Sequence, residues 1–495
     1  MFKNLKIGTK ILFVTVSMVA VVIIVSALIS DISTREALEK DTFNRLTAVR
    51  AMKAQQVEDY FQQIKNQIIT FSENQTIVHA MNDLSVAYDG EGNDSVDGDA
   101  LIQNVDKRLG AYYRKEYLTR LMPNLDTDEI AGFTFSMRDY IPRNSKARLL
   151  QDLYIASNPN PPGQKQLLDY AGDDGEYSEM HALYHPLIRS YLEKFGYYDI
   201  FLIDNETGNI VYSVYKEVDF ATSLLSGPYK DTNLAKAFIQ AREATEKDFV
   251  RLVDFEPYYP SYGARASFIA SPIFKGDENI GVLVFQLPVD RINDIMTNKH
   301  AWADVGLGES GETYIVGDDF TLRNQSRFLI ENPDEYFEMI SAAGLEQKTV
   351  QRIRNLNSSI GLQVVRTPGT EAALEGKSST EIFPDYRGIP VLSSYSALDI
   401  PGVHWAIMSE IDRDEAFQVF DKLRDRTIML ASILLALTIY ISYYFSLSLT
   451  RPLRFLQEAA RSLTTGKLDD PIKQGSNDEI GGLAGNIEQM RVALR

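Results

Sequence analysis

An α+β architecture is predicted for this 495-residue chain, and three observations predict it. Two apolar stretches carry no charged side chain. Between them a hairpin, a helix and a set of returning strands occur twice in one order, and heptad-spaced apolar residues close the chain. At roughly 150 residues per domain the length suggests about three units, and a 44% hydrophobic content is ample for their cores. With 50 Lys+Arg against 68 Asp+Glu the net charge is −18. That acid excess repels phosphate, and no stretch gathers a basic groove, so an overall nucleic-acid binder is excluded. The absence of cysteine excludes disulfide frameworks, thiolate zinc sites and thiol nucleophiles.

Residues 1–10 carry Lys3, Lys6 and Lys10 and no acid, a net +3. The first uncharged stretch, residues 11–30, would cover roughly 30 Å as a helix, the thickness of a bilayer's hydrocarbon core. It is long for a signal-peptide apolar region, and no A-x-A-like site follows, which favours a span over a cleaved leader. The second stretch, residues 427–450, sets Tyr440, Tyr443 and Tyr444 near an interface. Arg451 and Arg454 follow it at once, and residues 451–495 carry a net +1, leaving −22 for residues 31–426 and the span ends. Bases at both outer flanks predict cytoplasmic termini and an exported middle, periplasmic in a Gram-negative cell.

Residues 31–79 hold no Pro or Gly and predict one stalk helix, with Val57, Tyr60, Phe61, Ile64, Ile68 and Phe71 on a single stripe for its own chain, a second copy, or both. The acidic loop Asp89–Asp99 has Asp94 at the sharp-turn position and Ala100 at the twelfth place of a calcium loop, and reads as solvated. Residues 80–290 form the first module: strands at 197–204 and 210–215 around the turn NETGN, a helix from Asp231, then three strands within 249–288. Residues 291–426 repeat that order, with a hairpin at 312–326, a helix from Glu335 to Ala343, and returning strands within 381–412.

The motifs GESGETYIVG (308–317), DYRGIPVLSSYSAL (385–398) and VHWAIMSEID (403–412), set in a double module between two spans, resemble the double Cache ectodomains of bacterial transmembrane sensors. The resemblance covers most of residues 31–426 and implies two PAS-like Cache modules, with a small-molecule ligand held in the membrane-distal one. The Tyr-Arg-Trp-Tyr pattern of that family's amino-acid-binding subset is absent.

Beyond the second span, Leu453, Leu456, Ala460 and Leu463, then Ile480, Leu483, Ile487, Met490 and Leu494, keep steps of three and four around the connector GKLDDPIKQGS. Gly466 is placed to end the first helix, and Asp478 with Glu479 suits the positive N-terminal end of the second. Pro452, Gly466 and the Asp478–Glu479 pair closely resemble the markers of a HAMP domain over residues 451–495. That resemblance implies a homodimeric four-helix coiled coil relaying signals to an output domain for chemotaxis, phosphotransfer by a histidine kinase, or nucleotide cyclisation. Such a domain is expected to follow Arg495 in a longer protein.

Catalytic motifs fail in context. Gly306, Gly308 and Gly311 spell G-x-G-x-x-G, but a strand rather than a helix follows. His181 and His185 sit four apart, as metal ligands do on a helix, without the Glu that metalloprotease chemistry requires after the first. They support one rival reading, a membrane-anchored periplasmic metal-dependent hydrolase. The leading reading is a receptor with neither catalytic residues nor a cofactor. Its candidate binding residues are Tyr212, Tyr229, Asp254, Tyr258, Tyr259, Tyr262 and Arg265, because aromatic walls with a few fixed charges suit a small-ligand pocket. Asp254 is expected to meet a ligand ammonium and Arg265 a carboxylate.

Overall fold

A computed structural model describes residues 5–90, 98–125, 129–130, 140–473 and 475–495. Most of the loop read at Asp89–Asp99 lies outside the described residues. The chain forms two compact units, Thr42–Glu415 and Met1–Asp41 with Ala416–Arg495.

Helix α1 (Ile7–Ser72) buries Val57, Phe61, Ile64, Ile68 and Phe71 along one stripe against its own chain. It stops short of His79, because the Asn74 carboxamide accepts the Thr76 N–H at 2.8 Å and starts a new helix, α2 (Gln75–Gly90). Next come α3 (Gly98–Tyr112), a π turn at Tyr113–Tyr117, short turns at Leu118–Leu121 and Met122–Asn124, then α4 (Ser145–Gln151) and α5 (Glu176–Phe195).

The first sheet is antiparallel in the order β2-β1-β5-β4-β3. Its strands are β1 (Asp199–Asp204), β2 (Ile210–Ser213), β3 (Arg251–Pro257), β4 (Arg265–Lys275) and β5 (Glu278–Gln286), with α6 (Asn233–Arg242) between β2 and β3. Side chains alternate across a strand, so the sheet has two apolar faces. Ile200, Leu202, Ile269, Leu283 and Phe285 meet α1, α2 and α5. Phe201, Ile203, Phe268, Val282 and Val284 meet α6 and the segment from Tyr113 to Leu125.

After α7 (Val289–Thr297) the second sheet, β6-β9-β8-β7, repeats the antiparallel order. It consists of β6 (Glu312–Gly317), β7 (Ser379–Pro384), β8 (Pro390–Ala397) and β9 (Trp405–Asp412). Helices α8 (Arg327–Glu331), α9 (Pro333–Ala342), α10 (Gln347–Leu356) and α11 (Pro368–Leu374) intervene. The hairpin expected at 312–326 loses its second strand, which survives as the single bridge Val316↔Leu322. Asp319 closes a tight turn by accepting the Thr321 N–H and hydroxyl at 3.0 and 2.8 Å, and the Leu322 N–H then turns to the Gln363 carbonyl at 3.1 Å. Phe61 of α1 meets Trp405 of β9 edge-on at 5.4 Å, so the stalk's stripe joins both sheets in one core.

In the other unit, α1 and α12 (Arg413–Thr464) are each long and apolar enough to cross a membrane. They approach closely at small residues, as helices in lipid do. A Cβ on Gly8 would lie 2.6 Å from Ser446 Oγ, and the Thr15 hydroxyl donates to Ser442 Oγ at 3.0 Å. Gly466, at φ 80°, follows the end of α12, and Asp478 caps α13 (Glu479–Leu494) by accepting the Ile480 and Gly481 N–H groups at 3.0 and 2.9 Å. Leu456, Ile472 and Ala484 are buried between α12, the connector and α13, whereas Leu483, Met490 and Leu494 stay exposed.

Candidate ligand site

The residues singled out in sequence fall in three places. Tyr229, Tyr258, Tyr259 and Tyr262 pack on the face of the first sheet that α6 covers. Tyr212 points the opposite way, because it pairs with Leu202, whose side chain faces α5. Its hydroxyl meets His185 Nδ1 at 2.6 Å. Asp254 and Arg265 stand at the boundary with the second module, away from the tyrosines. A bulge between Val253 and Glu256 leaves Asp254 at the outer strand, where Arg323 Nε and Nη2 donate to its two oxygens at 2.9 and 2.8 Å. Arg265 packs against Gly361, and burial lowers its pKa. The sequence groups both charges with the tyrosines, and the structure sets them apart: Asp254 lies on the edge strand β3 against Arg323, and Arg265, at the start of β4, lies against Gly361.

Three further tyrosines and three acids complete the α6 face. Tyr113, Tyr117 and Tyr140 cover it, with ring centroids 5.6 Å apart for Tyr113–Tyr117, 5.9 Å for Tyr117–Tyr262 and 6.0 Å for Tyr140–Tyr229. The Tyr117 hydroxyl donates to the Tyr259 carbonyl at 2.9 Å and the Asn124 carboxamide to the Tyr262 carbonyl at 2.9 Å, fastening this cover to the β3–β4 loop. Under it, Asp199 Oδ1 accepts the N–H groups of Ile200, Val214 and Tyr215 at 2.7, 2.8 and 3.1 Å. Glu217 accepts from the Tyr198 and Ser261 hydroxyls at 3.0 and 2.7 Å, and Asp219 accepts from Tyr258.

Burial in apolar surroundings disfavours the charged form of a carboxylate. It pushes Glu217 up to about 8 and Asp219 up to about 6, and raises Asp199, with Asp219's charge adding to the shift in Glu217 and Asp199. Lys216, a buried base close in sequence to them, has its pKa lowered by burial. Lys216 does not neutralise them through direct contact, since its ammonium donates to the Ser213 carbonyl and lies 4.4 Å from the Tyr212 ring and 5.0 Å from Phe220. Asp199 Oδ2, Asp219 Oδ1, Gln286 Oε1 and the Tyr229 hydroxyl are buried and find no hydrogen-bond partner among the described residues. Such atoms carry a desolvation cost that a bound group with donors relieves.

The two histidines of α5 lie behind the opposite face, stacked with centroids 4.4 Å apart. His181 Nδ1 hydrogen-bonds the Asp169 carbonyl at 2.8 Å, and His185 Nε2 the Gln166 carbonyl at 2.7 Å. Burial lowers both pKa values, His185 to about 3, which keeps the imidazoles neutral. Among the described residues, no three His, Cys, Asp or Glu side chains are grouped as a metal site requires.

The sequence was missed at Asp199, Glu217 and Asp219, although a signal was present. Asp199 opens a strand whose next four positions, Ile200 to Ile203, are apolar, and Lys216, Glu217 and Asp219 crowd a short segment between two apolar elements. A charge inside a buried pattern marks function more often than a charge on a surface does.

Residues 444–495 match the family described as the HAMP domain. No curated protein matches the chain. Among solved structures, the ligand-binding domain of the Pseudomonas fluorescens chemoreceptor CtaA in complex with L-leucine is 13% identical, over 64% of this chain and 99% of that one, with a TM-score of 0.28. That of the Pseudomonas aeruginosa PAO1 chemoreceptor PctB in complex with L-Arg is also 13% identical, over 63% and 98%, at 0.27. The sensor domain of the V. cholerae histidine kinase DctB matches at 13% identity, over 63% and 95%, at 0.28. The HAMP match thus lies at the end of a helix long and apolar enough to cross a membrane, in a chain whose other unit holds two antiparallel sheets.

Proposed function

We propose that the chain is a signal-transduction receptor of the membrane, which senses a small cationic molecule outside it and relays its binding through α12 to the HAMP helices. Both termini are read as cytoplasmic, residues 80–290 as the membrane-distal module and residues 291–426 as the proximal one. The observation that carries the ligand reading is the set of buried, unpartnered acceptor oxygens on Asp199, Asp219 and Gln286 beneath the tyrosine cover. An ammonium brings three donors and no acceptor, and its charge favours the ionised carboxylates that burial otherwise disfavours. The tyrosine faces add cation–π attraction. HAMP helices work as a coiled coil, and the exposed Leu483, Met490 and Leu494 of α13 offer an apolar face to a second copy, which supports a homodimer.

The test is titration calorimetry on the full chain in nanodiscs, with butylamine, 1,4-diaminobutane, glycine and succinate as probes. An amine is expected to bind and succinate not to. Asp219→Asn, which keeps the shape but removes the charge, is expected to weaken amine binding about tenfold or more. Succinate binding in preference to amines, or amine affinity unchanged in both Asp199→Asn and Asp219→Asn, would refute the reading.

A further inference from the structure

A cavity of about 600 Å³ opens between the start of α1 and the part of α12 that precedes HAMP. Its polar side presents Lys6 and Thr9 from α1 and Ser446, Thr450 and Arg454 from α12, and its apolar side is formed by Leu12 and Leu447. Among the described residues no carboxylate lines it. Lys6 and Arg454 have no ion pair and no side-chain hydrogen bond among the described residues, and both are exposed. Their height matters. The uncharged stretches begin at Ile11 and end at Thr450, so the two cations flank the hydrocarbon boundary while Leu12 and Leu447 lie inside it.

We propose that this cavity seats an anionic phospholipid, its phosphodiester between Lys6 and Arg454 and its acyl chain along Leu12 and Leu447. An anion in water satisfies the cations but leaves the apolar wall unfilled; a zwitterionic lipid fills the wall but brings no net charge. Only an anionic amphiphile matches both halves, and basic pockets between membrane helices are suited to such headgroups. Arg454 lies two residues beyond Pro452 on the helix that continues into HAMP. A lipid held there ties α1 to α12 where movement of the span enters the coiled coil, whatever ligand the exported module takes.

The full chain, purified in detergent, is titrated with phosphatidylglycerol or phosphatidylcholine and followed by native mass spectrometry. Phosphatidylglycerol is expected to bind about tenfold more tightly, and Lys6→Gln with Arg454→Gln to remove that preference. Arg454→Lys, which keeps the charge, is expected to retain most of it. Both positions are exposed, so circular dichroism of the double variant checks that its helices remain. Equal binding of the two lipids, or an unaltered preference in the folded double variant, overturns the proposal. Displacement of the lipid by millimolar inorganic phosphate makes the site one for free anions and also overturns it. Because the chain has no cysteine, Leu447→Cys gives a single thiol, and its efficient cross-linking between two copies regardless of lipid would show that a second copy covers this wall.

Discussion

Glu410 on β9 offers a quantitative test of buried charge in the second module. It faces Glu312 directly across the β6–β9 pair, and both carboxyl groups are buried. The Tyr314 hydroxyl donates to Glu410 Oε2 at 2.8 Å, while Arg387 is committed to Asp385 and Asp412. Burial, and then the charge of Asp385, raise the Glu410 pKa to about 8, well above its value in the unfolded chain. The folded state therefore holds a proton that the unfolded state has already lost between those two values. This contribution to stability is full below about pH 4.5 and disappears as pH rises through about 8. At 1.36 kcal/mol per unit, roughly 3 kcal/mol is lost between pH 5 and pH 7.5. Glu410→Gln keeps the shape without the titration, so the variant should match the natural chain near pH 5 and be roughly 3 kcal/mol more stable near pH 7.5. Urea unfolding of the chain in detergent, followed by tryptophan fluorescence, reads this change, because both tryptophans, Trp302 and Trp405, lie in this module. A difference between variant and natural chain that does not vary with pH would refute the reasoning.

Three further outcomes follow from the packing. Phe61→Ala opens a cavity beside Trp405 where stalk and second sheet meet, and should cost about 3–5 kcal/mol in the same unfolding assay. Arg323→Ala removes the guanidinium, 3% exposed, that neutralises Asp254 and Asp319; those acids keep some contact with water, so a loss of about 2 kcal/mol is expected, smaller when Asp254→Asn is already present. Asp478→Ala deletes the cap of α13, and amide hydrogen exchange at Ile480 and Gly481 should accelerate while exchange in the first module stays unchanged.

Elements with a period or a hard chemical constraint were legible in the sequence. The two apolar stretches, the stalk stripe from Val57 to Phe71 and the cap at Asp478 each depend on neighbours a few residues away, and local spacing reports them. The hairpins β1–β2 and β4–β5 were readable because their turns are local too, whereas the β1–β5 and β6–β9 neighbours are distant in sequence. The second strand at 312–326 was not, since its backbone partners come from residues near Gln363. The proposed ligand face was half legible. The clustered tyrosines of the β3–β4 loop do lie together on one face, but Tyr212 was grouped with them although strand alternation turns that ring to the other face. Asp254 and Arg265 read as ligand charges because sequence shows a charge beside aromatics and conceals which module stands opposite. Asp199, Glu217 and Asp219 come from two segments that only the β1–β2 pairing brings under one cover.

The second module also grips that cover from outside, which bears on how binding is felt at a distance. The Asn355 carboxamide of α10 donates to the Pro123 carbonyl at 2.5 Å, and Arg352 on the same helix lies 3.5 Å from Glu129. Pro123 belongs to the segment whose Tyr117 and Leu121 roof the acids, so the roof cannot move without disturbing α10. The Arg323–Asp254 pair adds a third fastening at the sheet's outer strand. Polar contacts of this kind contribute about 0.5–1.5 kcal/mol each, and three of them reach the 1–3 kcal/mol typical of coupling between sites. The modules thus share a lateral connection in addition to the core they share along α1. Exchanging the charges, with Arg352→Glu and Glu129→Arg together, should restore the share of the coupling that either change alone removes, measured as protection of α10 amides when an amine is bound. Restoration failing while amine affinity stays intact would assign transmission to α1 alone.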